Sequence, residues 1–232
     1  MNFLTLLLQI STEGTQAATQ AAGQIKMSYW QLAVKGGWVM IPIALLSVLG
    51  VYIFIERYLA IKKASTIDNN LMNRIRDYIH EGKVENALTL CESNTDPASK
   101  MIEKGIRRIG RSLADINTAI EIVGKIEIAK LEKGLPVLAS VAGGAPMLGF
   151  FGTVTGMVRA FYDMSMAGNN IDITLLSSGI YIALITTVGG LLVGIPAFFG
   201  YNYLVTRIEN LVNKLEANST EFMDILNEPV SK

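Results

Sequence analysis

The stretch Ala142-Gly143-Gly144-Ala145-Pro146-Met147-Leu148-Gly149-Phe150-Phe151-Gly152-Thr153-Val154-Thr155-Gly156 decides the fold. It sits inside an uncharged run from Gly134 to Val158, long enough to cross a bilayer as a helix. Small residues at Ala145, Gly149, Thr153 and Gly156, with Gly152 close beside them, recur at intervals of three and four. That spacing gathers them on one face of a helix. A second apolar run, Ile173 to Thr206, repeats the pattern with Gly179, Ala183, Thr187, Gly190 and Gly194. Each run therefore presents a glycine-rich seam with a hydroxyl about midway. Small seams let helix backbones approach closely where lipid supplies no hydrophobic drive. On the residues alone, packing and a functional role for the hydroxyls both stay open.

Composition agrees with a membrane protein: 50% of residues are hydrophobic and only 17% are charged. Cys91 is the only cysteine, so no disulfide forms within the chain, and the only histidine, His80, reads as a solvated surface residue. No Cys/His cluster has metal-ligand spacing, so no metal site is expected. P-loop, GxGxxG, GxSxG and HExxH patterns are absent, and neither enzymatic chemistry nor a cofactor is expected. Arg107, Arg108 and Arg111 have acidic residues nearby, Glu103 and Asp115, and read as a solvated face, not a nucleic-acid surface.

The runs predict an all-α integral membrane protein with three transmembrane helices and long cytoplasmic helical extensions. The segments are 1–35 (periplasmic), 36–56 (first span), 57–133 (cytoplasmic helical segment), 134–160 (second span), 161–172 (periplasmic loop), 173–200 (third span) and 201–232 (cytoplasmic helix and tail). Met1–Ile10 is short and apolar with no basic residue before it, and reads as a surface helix and not a signal peptide. Residues 11–28 read as a polar linker. The first span, Gly36–Ile55, has aromatics near both ends: Trp30 and Trp38, then Tyr52 and Tyr58. Basic residues crowd the segment from Arg57 to Lys133, whereas the connection between the second and third spans holds only Arg159. The positive-inside rule then places the N-terminus outside and the large segment in the cytoplasm. Basic residues from Arg57 to Lys63 are expected to meet lipid headgroups.

Within that segment, Leu71, Ile75 and Ile79 step by four and stop at Gly82. Ala87, Leu88 and Cys91 predict a short helix, and Pro97 opens another carrying Ile102, Ile106 and Ile109. From Asp115 a further pattern of Ile116, Ile120, Val123, Ile126 and Leu131 is expected to run unbroken into the second span. These helices are expected to pack on extensions of the spans and on neighbouring subunits. The third run exceeds a bilayer and turns amphipathic after Tyr201, with Leu204, Ile208, Leu211 and Leu215 on one face. Asp172 or Thr174 is the expected cap of its start.

The string Gly-Ala-Pro-Met-Leu-Gly-Phe-Phe-Gly-Thr-Val-Thr-Gly-Met-Val at 144–158 resembles the signature of the ExbB/TolQ/MotA membrane motor proteins. Gly179-Ile180, Ala183-Leu184, Thr187, Gly190, Ile195-Pro196-Ala197 and Tyr201-Asn202 resemble their last transmembrane helix. The likeness covers about Trp38 to Asn202, and three spans favour ExbB or TolQ over the four-span MotA. It implies a bacterial inner-membrane homo-oligomer, a pentamer in the ExbB case, around an ExbD-like single-span partner dimer. Ion flow would then energise a TonB-like protein for outer-membrane nutrient import. The alternatives are a TolQ-like envelope-maintenance role and a passive scaffold. By the resemblance, pore threonines map onto Thr153 and Thr187; the spacing itself makes Gly149, Gly152, Gly156, Gly190 and Gly194 the expected packing seam. One departure stands out: Ile182 replaces the Glu that many relatives carry in Gly-Ile-Ala-Glu-Ala-Leu. A mid-membrane acid must then come from the partner, and the carried ion stays open between H⁺ and Na⁺.

Overall fold

A computed structural model describes residues 36–66, 70–166 and 173–228. Among them the chain forms α1 (Met40–Ala64), α2 (Leu71–His80), α3 (Val84–Ser93), α4 (Pro97–Ile106), α5 (Leu113–Glu132), α6 (Leu135–Met166) and α7 (Ile173–Asn227), with no strand. Three helical stretches, Met40–Ala64, Leu113–Met166 and Leu176–Asn227, each contain a run apolar and long enough to cross a membrane. The all-α, three-span expectation holds. The described residues divide into two compact units, one within Met1–Ala44 and Pro146–Leu191, the other within Leu45–Ala145 and Leu192–Lys232.

The larger unit has one core. Its centre is the face of α7 bearing Leu204, Ile208, Leu211, Leu215, Phe222 and Ile225, all buried, which continues the repeat legible after Tyr201. Leu71 and Ile75 of α2, Cys91 of α3, Ile102 and Ile106 of α4, and Ile116 and Ile120 of α5 close over it. So do Ile53 and Ile61 of α1 and Leu138 of α6. The short helices thus bury their apolar stripes on extensions of the spans, as ten-residue helices must to be stable. Gly105 permits the closest approach: a Cβ there would lie 2.7 Å from Phe222 Cε1 and 2.8 Å from Ile120 Cδ1.

Local signals set the helix ends. Asp96 caps α4 by accepting from Ser99 N–H at 2.9 Å and Ser99 Oγ at 2.8 Å, with Pro97 in the first turn. Ser112 caps α5 by accepting from Asp115 N–H at 3.2 Å, and its own hydroxyl donates to Asp115 Oδ2 at 2.8 Å. Gly82 and Gly110 take left-handed backbone at φ 73° and 96°, closing the turns after α2 and α4.

Several expectations are corrected. The pattern from Asp115 does not run unbroken into the second span. Gly134 sits at φ 91° between α5 and α6, and Pro136 lies in the first turn of α6. A left-handed glycine ends one helix and the proline favours a new start. The first span's helix begins at Met40, because Gly37 at φ 72° forms a turn in which Met40 N–H donates to Gly37 O at 3.2 Å. That helix continues past the Glu56–Arg57 pair to Ala64. Ile109 lies beyond the end of α4 and Ile126 is 49% exposed, so neither belongs to the core. Helix α6 extends to Met166, through the first half of the expected 161–172 loop. The readings of 1–35, of Asp172 and the side chain of Thr174 as a cap, and of residues 229–232 lie outside what the structure describes.

Candidate functional site: a hydroxyl-bearing seam of small residues

In the smaller unit, α6 and α7 lie against each other through residues with little or no side chain. Gly149 is the closest point. A Cβ there would be 2.8 Å from the Thr186 carbonyl oxygen, 3.1 Å from Thr187 Cα and 3.2 Å from Gly190 Cα. One turn on, a Cβ at Gly152 would strike the Thr186 side chain, its Cβ at 2.6 Å. Another turn on, Gly156 faces Ala183, with 3.1 Å from the added carbon to Ala183 Cβ. Gly179 faces Ala160 where the contact ends. Every step of the pairing is antiparallel, and each follows from the spacing of three and four on both helices. Met40 of α1 reaches Gly189, its Cε 3.0 Å from where a Cβ would stand.

The close approach brings threonine hydroxyls to the backbone of the facing helix. Thr187 Oγ1 donates to Gly149 O at 3.2 Å. Thr186 Oγ1 donates to Ala183 O at 2.7 Å, with Gly149 O at 3.3 Å as a second acceptor. The Gly149 carbonyl therefore has hydroxyls from two successive residues of α7 around it. Thr153, one turn after Gly149 on α6, donates to Phe150 O at 2.6 Å. Thr155 donates back to Phe151 O at 3.0 Å. In each case the hydroxyl proton points to a carbonyl and the oxygen lone pairs remain as acceptors. Such oxygens can accept from water or a protonated carboxyl, or coordinate a cation.

Exposure separates these threonines. Thr186 is 1% exposed and wholly inside the seam, whereas Thr153 and Thr187 are half-buried. Large apolar side chains beside them face outward, among them Phe150, Val154, Val158, Leu184 and Val188. A face of this kind suits lipid or another membrane helix. Of the residues singled out from sequence, Gly149, Gly152, Gly156, Thr187 and Gly190 come together, with Thr153 alongside. Gly194 is buried but belongs to the other unit. Thr186, which the sequence favours as a packing residue and not as part of an ion pathway, is also in the seam and bonds back to Ala183 O. It lies three after Ala183 and four before Gly190, which is the seam's own spacing.

Outside the seam, Glu127 of α5 is the most enclosed ion-paired carboxylate among the described residues, its side chain 11% exposed. Burial pushes its pKa up, but hydrogen bonds from Lys130 at 2.6 Å and Lys100 at 3.1 Å outweigh that and hold it below the usual carboxylate value. Burial, then the nearby carboxylates of Glu103, Asp96 and Glu92, pushes the Cys91 thiol up to about 12.

Comparison with known proteins agrees with this architecture. The family described as the MotA/TolQ/ExbB proton channel family matches residues 93–217. A putative biopolymer transport protein ExbB homolog of Methanothermobacter thermautotrophicus is 30% identical over 183 residues, 78% of this chain and 64% of that protein. A putative ExbB-like 1 protein of Synechocystis is 30% identical over 176 residues, 75% of this chain and 69% of that protein. The Tol-Pal system protein TolQ of Haemophilus influenzae is 39% identical over 106 residues, 46% of this chain and 44% of that protein. The chain thus spans about two thirds of the length of the first two relatives. With three apolar helices and a family match across more than half its residues, this multi-pass membrane protein belongs to the MotA/TolQ/ExbB proton channel family.

Proposed function

We propose that this chain is an ExbB-like motor subunit of a bacterial inner membrane. It assembles as a homo-oligomer, a pentamer by the family resemblance, around an ExbD-like single-span partner. Ion flow down the proton motive force drives movement that energises a TonB-like protein for nutrient import across the outer membrane. The observation that carries this reading is the seam itself. Two spans meet through small residues, hydroxyl oxygens at Thr153 and Thr187 are left half-buried as acceptors, and the uncharged runs Gly134–Val158 and Ile173–Thr206 hold no acid. An ionisable carboxyl at that depth is expensive and functional where it occurs. Here the partner supplies it, and the hydroxyls position water or an ion beside it. The N-terminus lies in the periplasm and the basic segment 57–133 in the cytoplasm, following the asymmetry of Lys and Arg.

A TolQ-like role in envelope maintenance is the second reading, favoured by the 39% identity to the Haemophilus influenzae TolQ. Both readings share the ion pathway and differ in the protein that is driven. The test is ion uptake into proteoliposomes holding this chain and its partner, with Na⁺ present or absent. Thr153→Val and Thr187→Val nearly keep shape and remove the hydroxyl. Partner-dependent flux should stop while the complex still purifies intact. Undiminished flux in the double variant overturns the hydroxyl pathway and leaves a scaffold that only holds partner proteins.

A further inference from the structure

The larger unit carries a groove between α1 and α7 that the seam does not use. Its upper part is a cavity of about 290 Å³ between α1, α6 and α7, open on one side and lined almost wholly by apolar groups such as Val51, Phe54, Val193 and Ala197. Ser47 is the only hydroxyl in its lining. Below it, α1 and α7 line a second, more polar cavity of about 240 Å³, whose walls include Tyr58, Lys62 and Arg207. On α1 the two linings follow one helical face through Ser47, Val51, Phe54, Tyr58 and Lys62. Stacked rings stand where the linings meet: Phe54 on Tyr58 at 6.2 Å between centroids and Tyr58 on Tyr203 at 6.3 Å. Arg207 lies over the Tyr203 ring at 5.5 Å and its Nε donates to Tyr203 Oη at 3.1 Å, which fixes the guanidinium. Among the described residues, neither Lys62 nor Arg207 has a carboxylate within ion-pair distance, and Glu56 is taken by Arg57.

We propose that this groove binds one anionic glycerophospholipid, its acyl chain in the apolar cavity and its phosphate between Lys62 and Arg207. Length agrees. From Ser47 to Tyr58 the helix rises about 16 Å, close to the half-thickness of about 15 Å that one leaflet's hydrocarbon occupies. The order of groups along the groove also agrees: apolar wall, then tyrosines, then two cations, as hydrocarbon, interface and headgroup follow each other in a leaflet. The rings of Tyr58 and Tyr203 sit where the glycerol esters would lie. This site does not depend on the ion-flow reading, because it needs only that α1 and α7 cross the membrane.

The test is native mass spectrometry of the full chain, delipidated in detergent and titrated with dioleoylphosphatidylglycerol or dioleoylphosphatidylcholine. One phosphatidylglycerol per chain should bind in preference to phosphatidylcholine. Lys62→Gln with Arg207→Gln should lower phosphatidylglycerol binding about tenfold or more, whereas Lys104→Gln with Arg111→Gln, exposed elsewhere, should leave it unchanged. Ala197→Leu narrows the apolar cavity and should lower it as well; Ser47→Leu serves if that variant does not fold. Equal binding of both lipids by the wild type, or wild-type binding by the Lys62/Arg207 variant, overturns the proposal. So does displacement of the lipid by millimolar inorganic phosphate with the cavity variants unaffected, since the basic end would then be a site for free anion alone.

Discussion

Replacing Gly152 with alanine puts the seam under the smallest possible load. The added Cβ would stand 2.6 Å from Thr186 Cβ and 3.0 Å from Thr186 Cγ2. Ordinary carbon–carbon contact is about 3.5–4.0 Å, so the helices must part or Thr186 must turn. Thr186 is 1% exposed and its hydroxyl is bonded to Ala183 O, so turning breaks a buried hydrogen bond. Overpacking of this kind costs about 1–3 kcal/mol. Alanine also favours a helix over glycine by about 0.8–1.0 kcal/mol, which offsets part of the cost. Gly143, on the same helix, isolates that second effect, because a Cβ there meets nothing within 4 Å. Gly143→Ala should therefore stabilise slightly, and Gly152→Ala should fall below it by about 1–3 kcal/mol. For a chain of this size that is about 2–4 °C per kcal/mol. Circular-dichroism melting of both variants in one detergent reads the gap. If Gly152→Ala melts with or above Gly143→Ala, the close contact does not exist and the reasoning from seam spacing fails.

Two further outcomes follow from the larger unit. Cys91 is buried and its thiol is pushed up to about 12, so at pH 8 almost no thiolate forms; maleimide should label the folded chain far more slowly than the chain in denaturant, and equal rates would contradict the packing of α3. Glu127 is held below its usual pKa, so its contribution to stability is present above the unfolded value of about 4.3 and is lost as pH falls through the folded value. Glu127→Gln should cost about 1–2 kcal/mol at pH 7, more than an exposed pair and less than a wholly buried one, and it should flatten acid melting curves below about pH 5; an unchanged acid limb would refute the role of the Lys100–Glu127–Lys130 cluster.

Much of the fold is legible in the residues because membrane length and helical period are strong constraints. The run Gly134–Val158 could only be a helix, and the face of α7 from Leu204 to Leu215 is spelled out at intervals of four, three and four. The break between α5 and α6 was legible too, in Gly134 followed by Pro136, but the apolar period on either side of it outweighed two residues. What residue i meets on another helix is not encoded in period. Ile126 has the same apolar character as Ile120, yet one is 49% exposed and the other fully buried. The side of α5 that turns to the core is set by contacts with α4 and α7, which no window of α5 contains.

The same limit explains the threonines. Spacing places Thr186 and Thr187 equally well on the seam, since one is three and the other four residues from Ala183. Only the facing helix distinguishes them. Thr186 lands over Gly152, where the missing side chain makes room for it, and is sealed in. Thr187 lands beside Gly149 and stays half-buried. A sealed hydroxyl with its proton on Ala183 O of its own helix is a packing group, filling the space that Gly152 leaves on the facing helix. A half-buried hydroxyl whose proton is on the facing carbonyl has its oxygen free for another group. Glycine on α6 thus divides two adjacent threonines into a packing residue and a candidate for the ion pathway. The division also decides which substitution reports on which property. A hydroxyl lost at Thr186 acts first on packing, one lost at Thr153 acts first on whatever that oxygen contacts, and one lost at Thr187 removes the bond to Gly149 O as well as any such contact.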